Sequence, residues 1–283
     1  MNNILVTGGK GQLGSELRDL APNHSNYNFF FTDRSQLDIT NHAAVDAFIT
    51  KNEIDTLINC AAYTAVDKAE LEPDLANAIN HLAVKNMAEV AKAQQIKLVH
   101  ISTDYVFDGT NYKPYVETDA TNPQSVYGQT KLDGELAIQA VNPANSIIIR
   151  TSWVYSKFGN NFVKTMLRLA ETRNELSVVA DQIGSPTNAA DLAKAILTIL
   201  PQLENVFPEI YHYSNEGVCS WYDFAKAIFE DKGISIKINP IQSIEYSTPA
   251  KRPYYSLFKK TKIMEFENLK NYHWRDSLKK INH

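Results

Sequence analysis

A short apolar run, Ile4-Leu-Val-Thr7, stops at the turn Gly8-Gly-Lys-Gly11-Gln-Leu-Gly14 and passes directly into an amphipathic stretch over residues 12–20. A strand, a glycine turn and a helix in that order constrain the fold strongly. Gly8 permits a tight turn, Gly11 lets the backbone approach a pyrophosphate, and Gly14 lets helix and strand pack closely. The free N–H groups at the start of the helix then face the phosphates. The spacing Gly8-x-x-Gly11-x-x-Gly14 differs from the usual dinucleotide motif by one residue, so its context carries the argument.

That context repeats. Residues 29–32, 56–60, 98–103 and 146–150 are further strand candidates. Helical patterns over 41–51, 72–94 (broken near His81) and 127–140 separate them. Strands alternating with helices predict an α/β fold: a doubly wound parallel sheet, Rossmann-like, with helices on both faces. Beyond Trp153 the rhythm changes. Helices are expected at 160–172, 189–200 and 221–231, short strands at 178–181 and 210–213, and a partly helical tail after Thr261. Loops at Pro186, Pro201, Pro208, Pro240, Pro249 and Pro253 break up this half. An NAD(P)-binding domain over 1–154 is expected, and after it a smaller α+β region over 155–283 that mainly binds substrate. Part of 187–210 is expected to pack back on the first domain.

With 44% hydrophobic and 21% charged residues, the chain reads as globular. A formal charge of −4 gives no basic excess for nucleic acid. Cys60 and Cys219 form no CxxC motif and fit small buried thiols in a reducing compartment. The seven histidines show no metal-ligand spacing. The amino terminus lacks the basic region of a signal peptide, and no stretch is long enough to span a membrane. A soluble cytoplasmic protein without a metal is expected, as a monomer or homodimer.

Asp33 ends the second strand, about 20 residues after the glycine loop. A carboxylate there accepts hydrogen bonds from the adenosine ribose and repels a 2′-phosphate, which favours NADH. Arg34 stands beside it and would accept a 2′-phosphate if Asp33 turned away, so NADPH stays open.

The fourth strand ends in His100-Ile-Ser102-Thr103-Asp104-Tyr-Val-Phe-Asp-Gly109. In a doubly wound sheet, ligands bind at the carboxyl ends of the strands. Ser102 and Thr103 alternate, so only one of them faces the cofactor side. Tyr127 and Lys131 are four apart, on one face of a helix. An ammonium there is expected to lower the phenol from its usual value of ~10 and prepare it to exchange a proton. Tyr-x-x-x-Lys alone is common on surfaces. It gains weight because the glycine loop, Thr103, Tyr127 and Lys131 occur in the right order.

These residues resemble the short-chain dehydrogenase/reductase superfamily, in its extended form that acts on nucleotide sugars. Several longer segments are similar to the dTDP-4-dehydrorhamnose reductase family in particular. They include Asn59-Cys-Ala-Ala-Tyr-Thr-Ala-Val-Asp67, Ser102-Thr-Asp-Tyr-Val-Phe-Asp-Gly109 and Val126-Tyr-Gly-Gln-Thr-Lys-Leu-Asp-Gly-Glu135. Arg150-Thr-Ser-Trp-Val-Tyr155, Asp181-Gln-Ile-Gly-Ser-Pro-Thr187 and Thr248-Pro-Ala-Lys-Arg-Pro253 continue the likeness. The resemblance implies reduction of the 4-keto group of dTDP-4-dehydro-L-rhamnose by NADH or NADPH, the last step toward dTDP-L-rhamnose for surface polysaccharide. It implies pyrophosphate contacts at Gly11, Gln12 and Leu13, a ribose contact at Asp33 and adenine contacts at Asp38 and Ile39. Further cofactor contacts fall at Ala62, Tyr63, Thr64 and Ile101. Thr103, Asp104, Tyr127 and Lys131 match the catalytic group, and Trp153 matches a substrate contact. Arg252 is a candidate for the diphosphate, since a guanidinium forms bidentate, charge-assisted bonds.

Two departures from the family pattern stand out. Tyr254-Tyr-Ser-Leu-Phe258 replaces the small or polar residues usual after Arg252-Pro253. Glu16 is present, but no carboxy-terminal glutamate matches the one through which some members bridge magnesium, so no metal-bridged dimer is expected. Other readings are a different nucleotide-sugar ketoreductase, an epimerase or a dehydratase on the same scaffold. A non-catalytic regulatory subunit like that of methionine adenosyltransferase is a further one. Intact Thr103, Tyr127 and Lys131 count against the last.

Overall fold

The computed structural model describes residues 1–281. Strands β1 (Asn2–Thr7), β2 (Tyr27–Thr32), β3 (Thr56–Asn59), β4 (Lys97–Thr103) and β5 (Ser146–Thr151) alternate with helices. The helices are α1 (Gln12–Leu20), α2 (His42–Lys51), α3 (Val66–Ala69), α4 (Pro73–Asn77), α5 (Ala83–Gln94) and α6 (Val126–Val141). A sixth strand, β10 (Glu209–His212), comes from far along the chain and pairs with β5. The sheet order is β10-β5-β4-β3-β1-β2, parallel throughout. The order reverses between β1 and β3, where a ligand crevice opens at the carboxyl ends of the strands.

Strand alternation divides the core in two. Ile4 and Val6 of β1 point to a layer formed by Leu13 and Leu17 of α1 and by Leu192 and Ile196 of α8 (Ala189–Ile199). Leu5, Leu57 and Leu98 point the other way, onto α2, α5 and α6 through Val45, Met87 and Ile138. Residues from beyond 154, in α8 and β10, thus complete the first sheet and its cover.

The helical pattern over 72–94 is interrupted where Ala78–Leu82 form a single π turn. The turn presents Asn80, which accepts from the Tyr63 N–H at 2.9 Å and donates to the Tyr63 carbonyl at 3.1 Å. A polar side chain inserted to hold a binding loop gives the bulge its purpose.

The remaining chain builds a second body. Short pairs join β6 (Val154–Tyr155) to β9 (Thr187–Asn188), β7 (Glu175–Val179) to β12 (Lys237–Ile241), and β8 (Ile183–Gly184) to β11 (Cys219–Ser220). With α7 (Phe162–Ala170), α9 (Trp221–Lys232) and α10 (Trp274–Lys279) they enclose a core around Tyr155, Met166, Phe224, Ile228 and Trp274. Among the described residues no helix is long and apolar enough to cross a membrane.

Candidate active site

The carboxyl ends of β1, β3, β4 and β5 open on a cavity of about 780 Å³. The glycine turn forms one wall. Gly8 has φ +66°, and a Cβ on Gly14 would lie 2.4 Å from the Gly8 carbonyl oxygen, so neither position accepts a side chain. Helix α1 starts at Gly11 with no side-chain cap and no acidic residue in its first turn. Gly11, Gln12 and Leu13 border the cavity, and the N–H groups of Gln12 and Leu13 lie before the first intrahelical bonds. An uncapped helix end with glycine backbone beside it suits a diphosphate.

Leu37, Asp38, Ile39 and Thr40 line the far end, where an adenosine would lie. Asp38 accepts from the Thr40 N–H and hydroxyl at 3.0 and 2.7 Å, which holds its carboxyl below the usual range. Asp33 departs from expectation. Its carboxylate takes the Lys10 ammonium, the Ser35 hydroxyl at 2.6 Å and the Ser35 N–H at 2.8 Å. Those bonds hold it far below the usual range, Lys10 foremost. Arg34, the next residue, borders the cavity instead. Ala62 and Thr64 line the cavity. The Tyr63 side chain turns away, its hydroxyl donating to Glu72 Oε2 at 2.6 Å.

Thr103, Asp104, Tyr127 and Lys131 converge at the inner end with Ile101. Ser125 caps α6, its hydroxyl accepting from the Gly128 N–H at 3.1 Å, and this sets Tyr127 in the first turn. Ser102 turns to Glu135 of α6, leaving Thr103 to face the site. Thr103 Oγ1 donates to Asp104 Oδ1 at 3.0 Å and accepts from the Tyr105 N–H at 3.2 Å. Asp104 is buried, and its Oδ2 makes no well-formed hydrogen bond among the described residues, though the Ser256 hydroxyl lies near the carboxyl. Burial pushes its carboxyl up to about 6, against the Thr103 hydrogen bond.

The expected lowering of the Tyr127 phenol by Lys131 is absent. Burial pushes the phenol up to about 12, opposed by Thr103 and reinforced by the charge of Asp104. The Lys131 ammonium is engaged elsewhere, donating to the Ile101 carbonyl at 2.6 Å and lying 3.2 Å from His100 Nε2. Burial brings it down to about 8, with Glu135 opposing. Sequence spacing put the two side chains on one face of the helix but could not show which neighbours each would find across it.

A second cavity of about 860 Å³ lies between the two bodies of the chain and shares Asp104, Tyr105 and Trp153 with the first. Trp153 has φ +50°, a conformation unusual for a bulky residue, and its ring stacks on Trp221 with centroids 3.7 Å apart. Arg252 borders this cavity but is paired with Asp67. Arg173 and Trp221, which the sequence did not single out, also line it. Their only signal was a cationic and an aromatic residue in the less regular half. In the departing segment, Phe258 packs with Phe107 and Tyr115, and Tyr255 packs against that cluster.

The family model described as RmlD substrate binding domain matches residues 1–283. A protein of Aggregatibacter actinomycetemcomitans named dTDP-4-dehydrorhamnose reductase is 43% identical over 291 residues, covering 99% of this chain and 98% of that one. The crystal structure of a dTDP-4-dehydrorhamnose reductase from Clostridium acetobutylicum superposes with a TM-score of 0.92 at 44% identity, over 98% of this chain and 97% of that one. The Bacillus anthracis dTDP-4-dehydrorhamnose reductase, solved in complex with NADP, gives 0.93 at 40% identity over 98% of both chains. With the family model matching from the first residue to the last and relatives aligning over nearly the whole length, the chain belongs to the RmlD substrate binding domain family.

Proposed function

We propose that this protein is an NAD(P)H-dependent reductase that converts dTDP-4-dehydro-L-rhamnose to dTDP-L-rhamnose, the last step in making this activated sugar for surface polysaccharide. One observation carries the reading: Thr103, Asp104 and Tyr127 stand where a dinucleotide-sized cavity with an uncapped helix end meets a second cavity lined by arginines and tryptophans. Full-length relatives bearing the reductase name support it.

NAD(P)H, bound along the first cavity by Gly11, Gln12 and Leu13, supplies a hydride to C4 of the sugar. Negative charge then develops on the C4 oxygen. Thr103 turns its hydroxyl from Asp104 to that oxygen, and Tyr127 gives it a proton. A phenol held up at about 12 is protonated at neutral pH, as a proton donor must be. Asp104 Oδ2 accepts from a sugar hydroxyl. Trp153 offers its face to the sugar ring, and Arg252 and Arg173 meet the diphosphate with charge-assisted bonds. Lys131 borders the first cavity beside Tyr127, its ammonium held by the Ile101 carbonyl. With Asp33 neutralised by Lys10 and Arg34 at the cavity wall, a 2′-phosphate is accommodated, so NADPH serves as well as NADH. The free thiols Cys60 and Cys219 fit a cytoplasmic setting.

The test is substrate-dependent loss of reduced-nicotinamide absorbance. Purified protein should oxidise NADPH or NADH when given dTDP-4-dehydro-L-rhamnose and leave both unchanged with dTDP-glucose. Absence of turnover with either cofactor would overturn the assignment.

A further inference from the structure

Thr7, Asn59 and His100 stand in one register across β1, β3 and β4. Each lies two residues beyond Leu5, Leu57 or Leu98, so alternation turns this polar row toward the face that α6 covers. All three are buried. Thr7 Oγ1 donates to Asn59 Oδ1 at 2.7 Å, and the Ala61 N–H donates to the same oxygen at 3.2 Å. A backbone N–H can only donate, so the amide oxygen of Asn59 is fixed on that side and its NH₂ group faces His100. There it meets Nδ1 at 3.0 Å. Nδ1 must therefore keep its lone pair. Burial and the neighbouring Lys131 keep the ring uncharged, and a neutral imidazole with a bare Nδ1 carries its hydrogen on Nε2. Nε2 lies 3.2 Å from Lys131 Nζ. An N–H group facing an ammonium sets donor against donor, whereas the same group facing an amine makes a hydrogen bond.

We propose that Asn59 and His100 are positioning residues for Lys131: the fixed Asn59 amide selects the Nε2–H tautomer of His100, and that group favours the amine of Lys131 over its ammonium. The inference rests on Tyr127 and Lys131 acting as described above. Other groups around Lys131 are Glu135, one turn further along α6, and Tyr127, one turn before it with Asp104 beyond. Glu135 favours the ammonium, but its carboxylate is shared with Arg150 and Ser102. The chemical consequence is a ready second proton. Once Tyr127 has protonated the C4 oxygen, the tyrosinate takes a proton from the Lys131 ammonium. The resulting amine accepts from His100 Nε2–H, and Lys131 regains its proton from solvent after product leaves.

The test uses the full-length protein, labelled with ¹⁵N in histidine and ¹³C in lysine. His100 is assigned by the loss of its resonance in His100→Gln. Near neutral pH its Nδ1 should be pyridine-like and its Nε2 pyrrole-like. Asn59→Asp replaces the donor with an acceptor of the same shape, inverts the tautomer and turns Nε2 into an acceptor for the ammonium. The Lys131 titration midpoint should then rise by about one pH unit or more, and the basic limb of the kcat–pH profile should move with it. A protonated Nδ1 in the parent protein, or an unchanged Lys131 midpoint in Asn59→Asp, overturns the proposal. Both resonance measurements are made without turnover, so they fail separately from the reaction assigned above.

Discussion

Arg252 grips Asp67 with both ends of its guanidinium, Nη1 to Oδ1 at 3.1 Å and Nη2 to Oδ2 at 2.7 Å, across 185 positions of sequence. The pair fastens the loop before Pro253 to the segment after β3, at the edge of the second cavity. If Arg252 meets the diphosphate, Asp67 sets where its fork points. Arg252→Lys keeps the charge and loses the fork, and should raise KM for the dTDP-sugar by about 10-fold with a smaller change in kcat. Asp67→Asn should raise KM in the same direction. Unchanged KM values in both variants would remove Arg252 from the substrate site.

Tyr127→Phe removes the proton and leaves the ring against Tyr105, where the centroids are 5.3 Å apart. Turnover should fall by ~10²–10⁴-fold. Fluorescence titration should show NADPH binding close to that of the parent. Full turnover in this variant would mean that another group supplies the proton.

Asp104 is a buried carboxyl raised from 3.8 to about 6. At pH below both values it is protonated in folded and unfolded chains alike and has no effect. Between them the folded state holds a proton that the unfolded chain releases, so stability falls as pH rises; above the folded value the full cost remains. Asp104→Asn should therefore raise Tm by at least about 2–4 °C under mildly alkaline conditions. The gain should shrink as the pH falls from 6 toward 3.8. The same substitution should lower activity. A Tm difference independent of pH would show that Asp104 does not titrate as described.

Lys10 occupies the Asp33 carboxylate, and if Asp33 reads the ribose, that pair sets the choice between NADH and NADPH. Lys10→Ala should release the carboxylate toward the ribose and move the ratio of kcat/KM values toward NADH. Arg34→Ala should weaken NADPH by about 10-fold and leave NADH nearly untouched. If neither variant moves the ratio, the selection lies elsewhere in the cavity.

The first half of the chain was legible because its elements are long enough to show a period. Alternating Ile4, Leu5 and Val6 feed opposite layers, and the glycine turn after them admits little but a helix. A break near His81 was expected, though not the π turn that places Asn80. The second half was less legible. Strands as short as Ile183–Gly184 and Cys219–Ser220 contain no period to detect. Pro240 read as a breaker, yet it lies within β12, which belongs to a two-stranded sheet and so need not use every N–H. In the site, types and order of residues were readable, but the partners were not. Nothing near Asp33 in the sequence says that Lys10 will reach it, and nothing near Lys131 points to His100 on β4. Such contacts depend on register between strands and on the approach of one loop to another.

The late arrival of β10 and α8 has a consequence for how the protein is made. Synthesis proceeds from the amino terminus, and a nascent chain ending near residue 154 already contains β1 to β5 and α1 without α8, the second helix over Ile4 and Val6, or the strand that covers β5. Until α8 and β10 have left the ribosome, the part of that layer they cover stays open to solvent and to other nascent chains, so the protein should depend on chaperone holding during translation. A gene truncated at that point should yield insoluble product rather than a free-standing nucleotide-binding module.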